Sequence, residues 1–208
     1  ARGHRVSMQA APNFRGWVEE NGLAFHAFGP DVEALSREVG EKLRDPIFFA
    51  RLGLTLLTRM FEETTAVARG ADVMIGAGAN GSSASVAESL GVPYFYAAYC
   101  PQLLPSNAHA PMTMPIFQDL PRAANVFPWR LTFLLGNLFG LGPLNRERAK
   151  LGLAPVKDLY RSIFAADSVL LAFDEVLAPA PADPGVDVTH GGPWFLEDGA
   201  PLPADVDR

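Results

Sequence analysis

Residues 71–95, ADVMIGAGANGSSASVAESLGVPYF, decide the fold of this chain. A short apolar run at residues 72–76 predicts a strand, and a glycine-rich turn follows it directly. Residues 82–90 predict a helix that ends at Gly91, because glycine commonly follows the last helical residue. Residues 93–99 predict an apolar strand of the kind that is buried on both faces. Strand, helix and strand in this order are typical of a parallel sheet that is covered by helices.

The same alternation continues on both sides of this stretch. Its members are predicted strands at residues 4–10, 23–28 and 168–172 and predicted helices at residues 14–21, 30–39, 45–70, 127–139 and 144–151. The sequence therefore predicts an α/β fold, with a Rossmann-like parallel sheet and helices on both faces. We expect residues 1–177 to form one domain, while the proline-rich residues 178–208 predict an extended linker.

Composition excludes several classes of protein. The chain has 208 residues, of which 49% are hydrophobic, and a net charge of −6. This apolar share is too high for a disordered chain, and the acidic balance argues against a nucleic-acid or anionic-membrane partner, since both need clustered cations. The lone Cys100 cannot form an intrachain disulfide, which favours a cytoplasmic location. The longest apolar run, residues 131–144, is too short for a bilayer, so no integral membrane contact is expected.

The turn at residues 76–81 fits the G-x-G-x-x-G pattern of dinucleotide sites, in which backbone N–H groups approach a pyrophosphate at a helix N-terminus. The pattern is incomplete, because the next strand ends in Tyr99 and Cys100 rather than in an acidic residue. The turn also does not follow the first strand of the domain. We therefore interpret it as a tight turn that helps to line a ligand cleft. A nucleotide-binding α/β protein that uses the glycines of residues 76–81 (Gly76, Gly78 and Gly81) is the alternative.

Two further chemistries lack the motifs that they need. His190-Gly191-Gly192 is similar to the oxyanion loop of some hydrolases, but no G-x-S-x-G nucleophile elbow occurs in the sequence. The four histidines show no metal-ligand spacing, and a single cysteine cannot build a thiolate site. We expect neither a serine hydrolase nor a metal site.

Residues 99–115, YCPQLLPSNAHAPMTMP, are too apolar for an ordinary surface loop and too rich in proline for a helix. They follow a predicted strand, and in an open parallel sheet the carboxyl ends of the strands face the ligand crevice. The segment therefore predicts an apolar mouth for a hydrophobic ligand, in which methionine is an adaptable lining. A covered connection without a ligand is the alternative. The helix at residues 127–139 belongs either to the core or to the same pocket.

Several segments together resemble a known family. Residues 71–95, followed by YCPQLLPS, are similar to the acceptor domain of family-1 GT-B glycosyltransferases, especially the vancomycin-type glycopeptide glycosyltransferases and the sterol 3β-glucosyltransferases. The opening ARGHRV is similar to the end of the first helix and the start of the second strand of that domain. Three later segments of this chain are similar to the end of that family's N-terminal domain. They are LNRERAKLGLAPV, AADSVLLAFDEVLAPAP and GGPWFLEDGAPLPADV. The resemblance covers nearly the whole chain.

The resemblance implies an inverting transfer of a sugar from a nucleotide-sugar to an acceptor hydroxyl. It implies that this chain binds a hydrophobic natural product or a sterol-like acceptor. The UDP- or TDP-sugar donor is expected in a C-terminal domain beyond Arg208, so that this chain itself binds no cofactor. The general base, an Asp or a His, is expected upstream of Ala1, and this chain alone is expected to be inactive. In branches with a His–Asp pair, the Asp would stand at Ala77 or Gly78, where this chain has no carboxylate.

The resemblance also implies which residues bind the acceptor. They lie in the glycine-rich turn, in the proline-rich segment and in the helix that follows, and they are Gly78, Asn80, Gln102, Leu103, His109, Met112 and Phe133. Asn80 is the side chain of the turn that can hydrogen-bond an acceptor. Asp119 and His109 are ionisable groups near this pocket, and neither is assigned as the base. A non-catalytic small-molecule binding domain of the same fold is the alternative.

A last expectation concerns the sheet. The resemblance implies that the first strand of the fold lies upstream of Ala1 and is central in the sheet. We therefore expect a gap, or a segment of other origin, between the strands at residues 4–10 and 72–76.

Overall fold

The computed structural model describes residues 3–41, 46–78, 80–111, 120–177, 179–181 and 184–195. Strands and α-helices follow one another through these residues, which confirms the predicted α/β class. The strands are β1 (Ser7–Ala10), β2 (Ala24–Ala27), β3 (Met74–Ala77), β4 (Tyr94–Ala98), β5 (Ser168–Leu171) and β6 (Val188–His190). The helices are α1 (Arg15–Glu20), α2 (Val32–Glu41), α3 (Pro46–Ala68), α4 (Ser83–Leu90), α5 (Val126–Lys150) and α6 (Leu159–Ile163). None of the described helices combines the length and the apolar character needed to cross a membrane.

The strands form two parallel sheets. β1 pairs with β2, and β3, β4, β5 and β6 form a second sheet in that order. Within the described part of the chain no pairing joins β1 to β3, as expected from the sequence. The two strands instead flank a cavity of about 460 Å³, which we call the inter-sheet cleft. Met8 and Gln9 of β1 and Ile75 and Gly76 of β3 contribute to its lining.

Helix α4 is the centre of the packing, since residues 83–87 are buried on every side. Its alanines share a core cluster with Tyr96 of β4, whereas Val86 shares another with Phe61 of α3 and Leu144 of α5. The short side chains of α4 let the sheet approach from one side and the two long helices from the other. Small residues at these positions therefore set the distance between the layers.

Arg148 fastens α5 to α4. Its buried guanidinium donates to the two carboxylate oxygens of Glu88, at 2.8 and 3.2 Å, and to the hydroxyl of Ser85 at 2.9 Å. Its Nε donates to the carbonyl of Ala154 at 3.0 Å. A buried cation is tolerated here because a carboxylate and two further oxygen acceptors replace the water that it loses.

The prediction of two separate helices within residues 127–151 is wrong, because α5 continues through Pro143. Glycines before a proline usually mark a helix end, but here they have another use. A Cβ added to Gly140 would lie 2.8 Å from Cδ2 of Leu159 in α6, and one added to Gly136 would lie 3.3 Å from the same atom. These glycines allow α6 to pack closely on α5, so they do not need to end the helix.

Two short elements are not predicted by the sequence. β6 lies inside the range expected to be a linker, and it pairs in parallel with β5. A three-residue strand is too short to show the alternation of apolar and polar residues that would predict it. α6 has only five residues, and it begins after Asp158, whose carboxylate accepts a hydrogen bond from the Arg161 amide at 2.8 Å.

We expect Arg148→Met to lower the free energy of unfolding by about 2 kcal/mol, because Ser85 and the Ala154 carbonyl lose a charged donor in a buried place. Urea unfolding measures the change. Arg146→Met, on the exposed side of the same helix, is the matched control and should change stability by less than about 0.5 kcal/mol. Equal losses in the two variants would show that Arg148 does not fasten the helices.

Candidate functional site

The carboxyl ends of β3 and β4 lie side by side, because the two strands are parallel and Ala77 is in register with Ala97. Gly78 follows β3, and a 3₁₀ turn, Pro101–Leu103, follows β4. The hydroxyl of Tyr96 donates to the carbonyl of Gly78 at 2.8 Å and ties the two ends together. In a parallel sheet this edge is where ligands bind, so both predicted segments stand at the expected place.

The glycine-rich turn serves the packing rather than a phosphate. Gly78 has a φ of +66°, and a Cβ added to Gly76 would lie 2.5 Å from the hydroxyl oxygen of Tyr94. Asn80 Oδ1 accepts hydrogen bonds from the backbone N–H groups of Ser82 and Ser83, at 3.1 and 3.3 Å. These are the amides at the start of α4 that a pyrophosphate would need. The turn therefore does not favour the dinucleotide alternative.

Asn80 uses most of its side-chain hydrogen-bonding capacity within the protein. Its Oδ1 also accepts from the Ser82 hydroxyl at 2.8 Å, so only its Nδ2 could donate to an acceptor. The side chain lines the inter-sheet cleft together with Gln9 and Ser83. That cavity is different from the one that contains Phe133, and Asn80 lines only the first of the two.

A continuous series of aromatic rings runs from β4 to α5 and on to the loop that precedes it. Neighbouring ring centroids lie 4.6 to 6.2 Å apart. We call this series the aromatic chain, and its members in order are Tyr96, Phe164, Tyr160, Phe133, Trp129 and His109. Contacts between aromatic rings contribute more stabilising free energy than the burial of their surface alone. They therefore hold α5 against the end of the sheet.

Two hydrogen bonds connect the aromatic chain to the segment that follows β4. The hydroxyl of Tyr160 donates to the carbonyl of Leu103, and the indole Nε1 of Trp129 donates to the carbonyl of His109 at 2.9 Å. The backbone of that segment is therefore held at two points by α5 and α6. Between the segment and α5 lies a cavity of about 340 Å³, which we call the α5 cleft, lined by Pro105, Ser106, Asn107, Val126, Trp129, Arg130 and Phe133.

The structure brings some of the predicted site residues together and separates others. Leu103, His109 and Phe133 meet at the aromatic chain, and Gly78 joins it through the hydroxyl of Tyr96. Asn80 lies in the inter-sheet cleft, and Gln102 is half-buried in the 3₁₀ turn. Met112 lies outside the described residues, as does Asp119.

Sequence reasoning missed three residues at this site: Trp129, Arg130 and Tyr160. Trp129 and Phe133 are four positions apart in one helix, so they share a face, and this spacing could have placed both in the pocket. Tyr160 could not have been found, because its position depends on α6, which the sequence does not predict.

Burial decides the protonation of the groups around the α5 cleft. It lowers the pKa of His109, whose Nε2 is buried without a partner among the described residues, and so favours the neutral imidazole. Burial likewise raises the pKa of the Cys100 thiol and of the Tyr160 hydroxyl, so both remain protonated. The described residues contain no cluster of three metal-ligating side chains. The walls of the site are therefore neutral, with Arg130 as an exposed cation at the rim.

We expect wild type to lose stability relative to His109→Gln as the pH falls from about 7.5 to about 5.5. The pKa of His109 is lowered in the folded state, so below its ordinary value of 6.5 the unfolded state binds more protons and the free energy of unfolding falls. Glutamine cannot take up this proton. Urea unfolding across this pH range measures the difference, with His26→Gln on β2 as the control that keeps His109. Parallel curves for wild type and His109→Gln would contradict the prediction.

Comparison with known proteins gives relatives but no family model that matches the chain. The chain is 33% identical to glycosyltransferase GtfC of Amycolatopsis orientalis, over 99% of this chain and 50% of GtfC. It is 30% identical to vancomycin aglycone glucosyltransferase of the same organism, over 98% and 50% of the two chains. The solved structure of spinosyn forosaminyltransferase SpnP matches with a TM-score of 0.53 and 16% identity, over 99% and 48%, which shows a shared fold. The chain spans about half the length of the curated relatives that it matches.

Proposed function

We propose that this chain is the acceptor-binding part of an inverting GT-B glycosyltransferase, because it is at least 30% identical to two glycosyltransferases over nearly its whole length and shares the fold of a third. The α5 cleft carries this proposal. It is an apolar, aromatic-walled cavity beside the segment that leaves the carboxyl end of β4. That edge of a parallel sheet is where a substrate binds, and an aromatic wall suits a hydrophobic acceptor.

In the proposed reaction, the oxygen of an acceptor hydroxyl bonds to the anomeric carbon of a nucleotide-sugar. The bond from that carbon to the diphosphate oxygen breaks, and the nucleoside diphosphate leaves with the electron pair. The hydroxyl proton goes to a general base within hydrogen-bond reach. The contribution of this chain is to orient the acceptor, since a correctly held hydroxyl makes the attack effectively unimolecular. We place the base and the site of the UDP- or TDP-sugar in parts of the protein outside these 208 residues.

The acceptor that fits this cleft is an apolar natural product with aromatic rings. Phe133 is half-buried and offers a ring surface against which a ring of the ligand can stack. Trp129 is buried and supports Phe133 from behind, with the two ring centroids 5.9 Å apart. One relative is named for glucosyl transfer to the vancomycin aglycone, so an aglycone is the first acceptor to test. A sterol-like acceptor is the second, because the same walls would bury an aliphatic ring system.

The position of β6 supports a revised extent for the proposed acceptor-binding domain. Because β6 pairs with β5, the sheet continues to His190, beyond the boundary at residue 177 that the sequence suggested. We propose that the domain includes β6 and that a linker to a C-terminal donor-binding domain begins after it.

Transfer by the whole protein tests the proposal. We expect incubation with TDP-glucose or UDP-glucose and vancomycin aglycone to give an acceptor whose mass has grown by one hexose. Nuclear magnetic resonance should show the configuration at the anomeric carbon inverted relative to the donor. Omission of the acceptor is the control. An acceptor that binds but is never glycosylated, with aglycone and sterol and with both donors, would favour a non-catalytic binding domain.

Within such an enzyme, we expect Phe133→Ala to raise the KM for the acceptor about tenfold with little change in kcat, because the acceptor loses one apolar wall in the ground state and in the transition state alike. Steady-state kinetics with varied acceptor measure both constants. Leu134→Ala is the matched control, since Leu134 is 63% exposed and does not line the cleft. A similar change in KM in both variants would place the acceptor elsewhere.

A further inference from the structure

The α5 cleft combines an apolar wall with a cation. Trp129 and Phe133 form the wall, and Arg130 lies between them in sequence and also lines the cavity. Ser106 and Asn107 are the polar members of the lining, and neither is acidic. The guanidinium of Arg130 has no ion-pair or hydrogen-bond partner among the residues that the structure describes. An exposed cation with no counterion in its own cavity is available to a ligand.

Another cavity in the same fold shows the opposite arrangement. It is lined by Arg69 and Lys150, but Glu62 and Glu147 line it as well. Lys150 already donates to both carboxylate oxygens of Glu147, at 2.8 Å each. The cations of that cavity are balanced by the protein itself, so a negatively charged ligand would have to displace a carboxylate. The α5 cleft imposes no such competition.

The start of α5 reinforces the positive charge of Arg130. Val126 is the first residue of the helix and lines the same cavity, so the positive end of the helix dipole lies at the cleft. The preceding Asn125 does not cap the helix with its side chain: its Nδ2 donates to the carbonyl of Asn107 at 3.1 Å, and its Oδ1 has no hydrogen-bond partner among the described residues. The helix end and the guanidinium therefore favour a negative charge at the same place.

We infer that the α5 cleft binds acceptors that carry a carboxylate, with Arg130 holding the carboxylate and the aromatic wall holding the rest of the molecule. The inference rests on the proposed function and adds the charge of its substrate. A guanidinium can bind the two oxygens of a carboxylate with two parallel N–H···O bonds, which fixes orientation as well as position. Phe133, three positions after Arg130, then contacts an aromatic ring attached to the carboxylate, and the buried Trp129 supports Phe133.

Two probes of the same shape test the inference on this chain. They are 2-naphthoic acid and its methyl ester, which differ in charge but share the aromatic ring. Quenching of tryptophan fluorescence, with Trp129 in the cleft wall, reports their binding. We expect the acid to bind wild type about tenfold more tightly than the ester, because a charge-assisted hydrogen bond contributes more than a neutral one.

The variant Arg130→Gln should remove this preference. Its affinity for 2-naphthoic acid should fall about tenfold, while its affinity for the methyl ester should not change. Arg146→Gln is the matched control on the same helix, away from the cleft, and should retain the preference. Thermal unfolding of the two variants checks that both are folded. The proposal is overturned if acid and ester bind wild type equally, if neither binds, or if Arg130→Gln weakens both probes alike.

The donor is the other possible source of a negative charge, and UDP distinguishes it. We expect UDP neither to compete with 2-naphthoic acid nor to bind more weakly to Arg130→Gln. If UDP competes with 2-naphthoic acid and also binds Arg130→Gln more weakly than wild type, Arg130 binds the diphosphate of the donor. The inference of a carboxylate-bearing acceptor then fails. The transfer assay on the whole protein is independent of these measurements. If wild type shows no preference for the acid but transfers the sugar, only the carboxylate site is refuted. If wild type shows the preference but transfers no sugar, only the proposed function is refuted.

Discussion

The burial of α4 is the constraint on which the rest of this structure depends. Four of the five residues at positions 83–87 are serine or alanine, and all five are buried, so the sheet lies against one side of the helix and α3 and α5 against the other. A helix that is enclosed in this way cannot shift without opening both interfaces. Asn80 fixes its first turn, and Arg148 joins its last turn to α5. The positions of the strand ends and of α5 follow from this arrangement.

The aromatic chain connects the core around α4 to the candidate site. Tyr96 belongs to the core cluster that includes the α4 alanines, and its hydroxyl holds the turn after β3. From Tyr96 the rings continue through Phe164 and Tyr160 to Phe133 on α5. The segment after β4 is therefore held between the sheet edge and α5. An apolar cavity with defined walls results, rather than a loose surface loop.

The parts of the fold that sequence patterns predicted are those with strong local signals. Residues 71–95 gave the correct order of strand, helix and strand, because an apolar run, a glycine after the helix and a second apolar run each act locally. The unbroken α5 was not predicted, because Gly140, at the expected break, serves contact with Leu159, which is distant in sequence. β6 was also not predicted, because its strand conformation depends on pairing with β5, which is distant in sequence, more than on its own three residues.

The sequence by itself determined the α/β class and the segments that meet at the carboxyl edge of the sheet, because periodicity, turn residues and order along the chain carry that information. The resemblance to glycosyltransferases was likewise visible in the sequence, and the comparisons give relatives of that kind. Only the tertiary structure decided what each side chain does there. Asn80 proved to hold the start of α4, while Arg130, which no motif marks, lines a cavity without a carboxylate. The physical reason is that a side chain's partners come from other elements, and the packing of α4, α5 and α6 selects those partners.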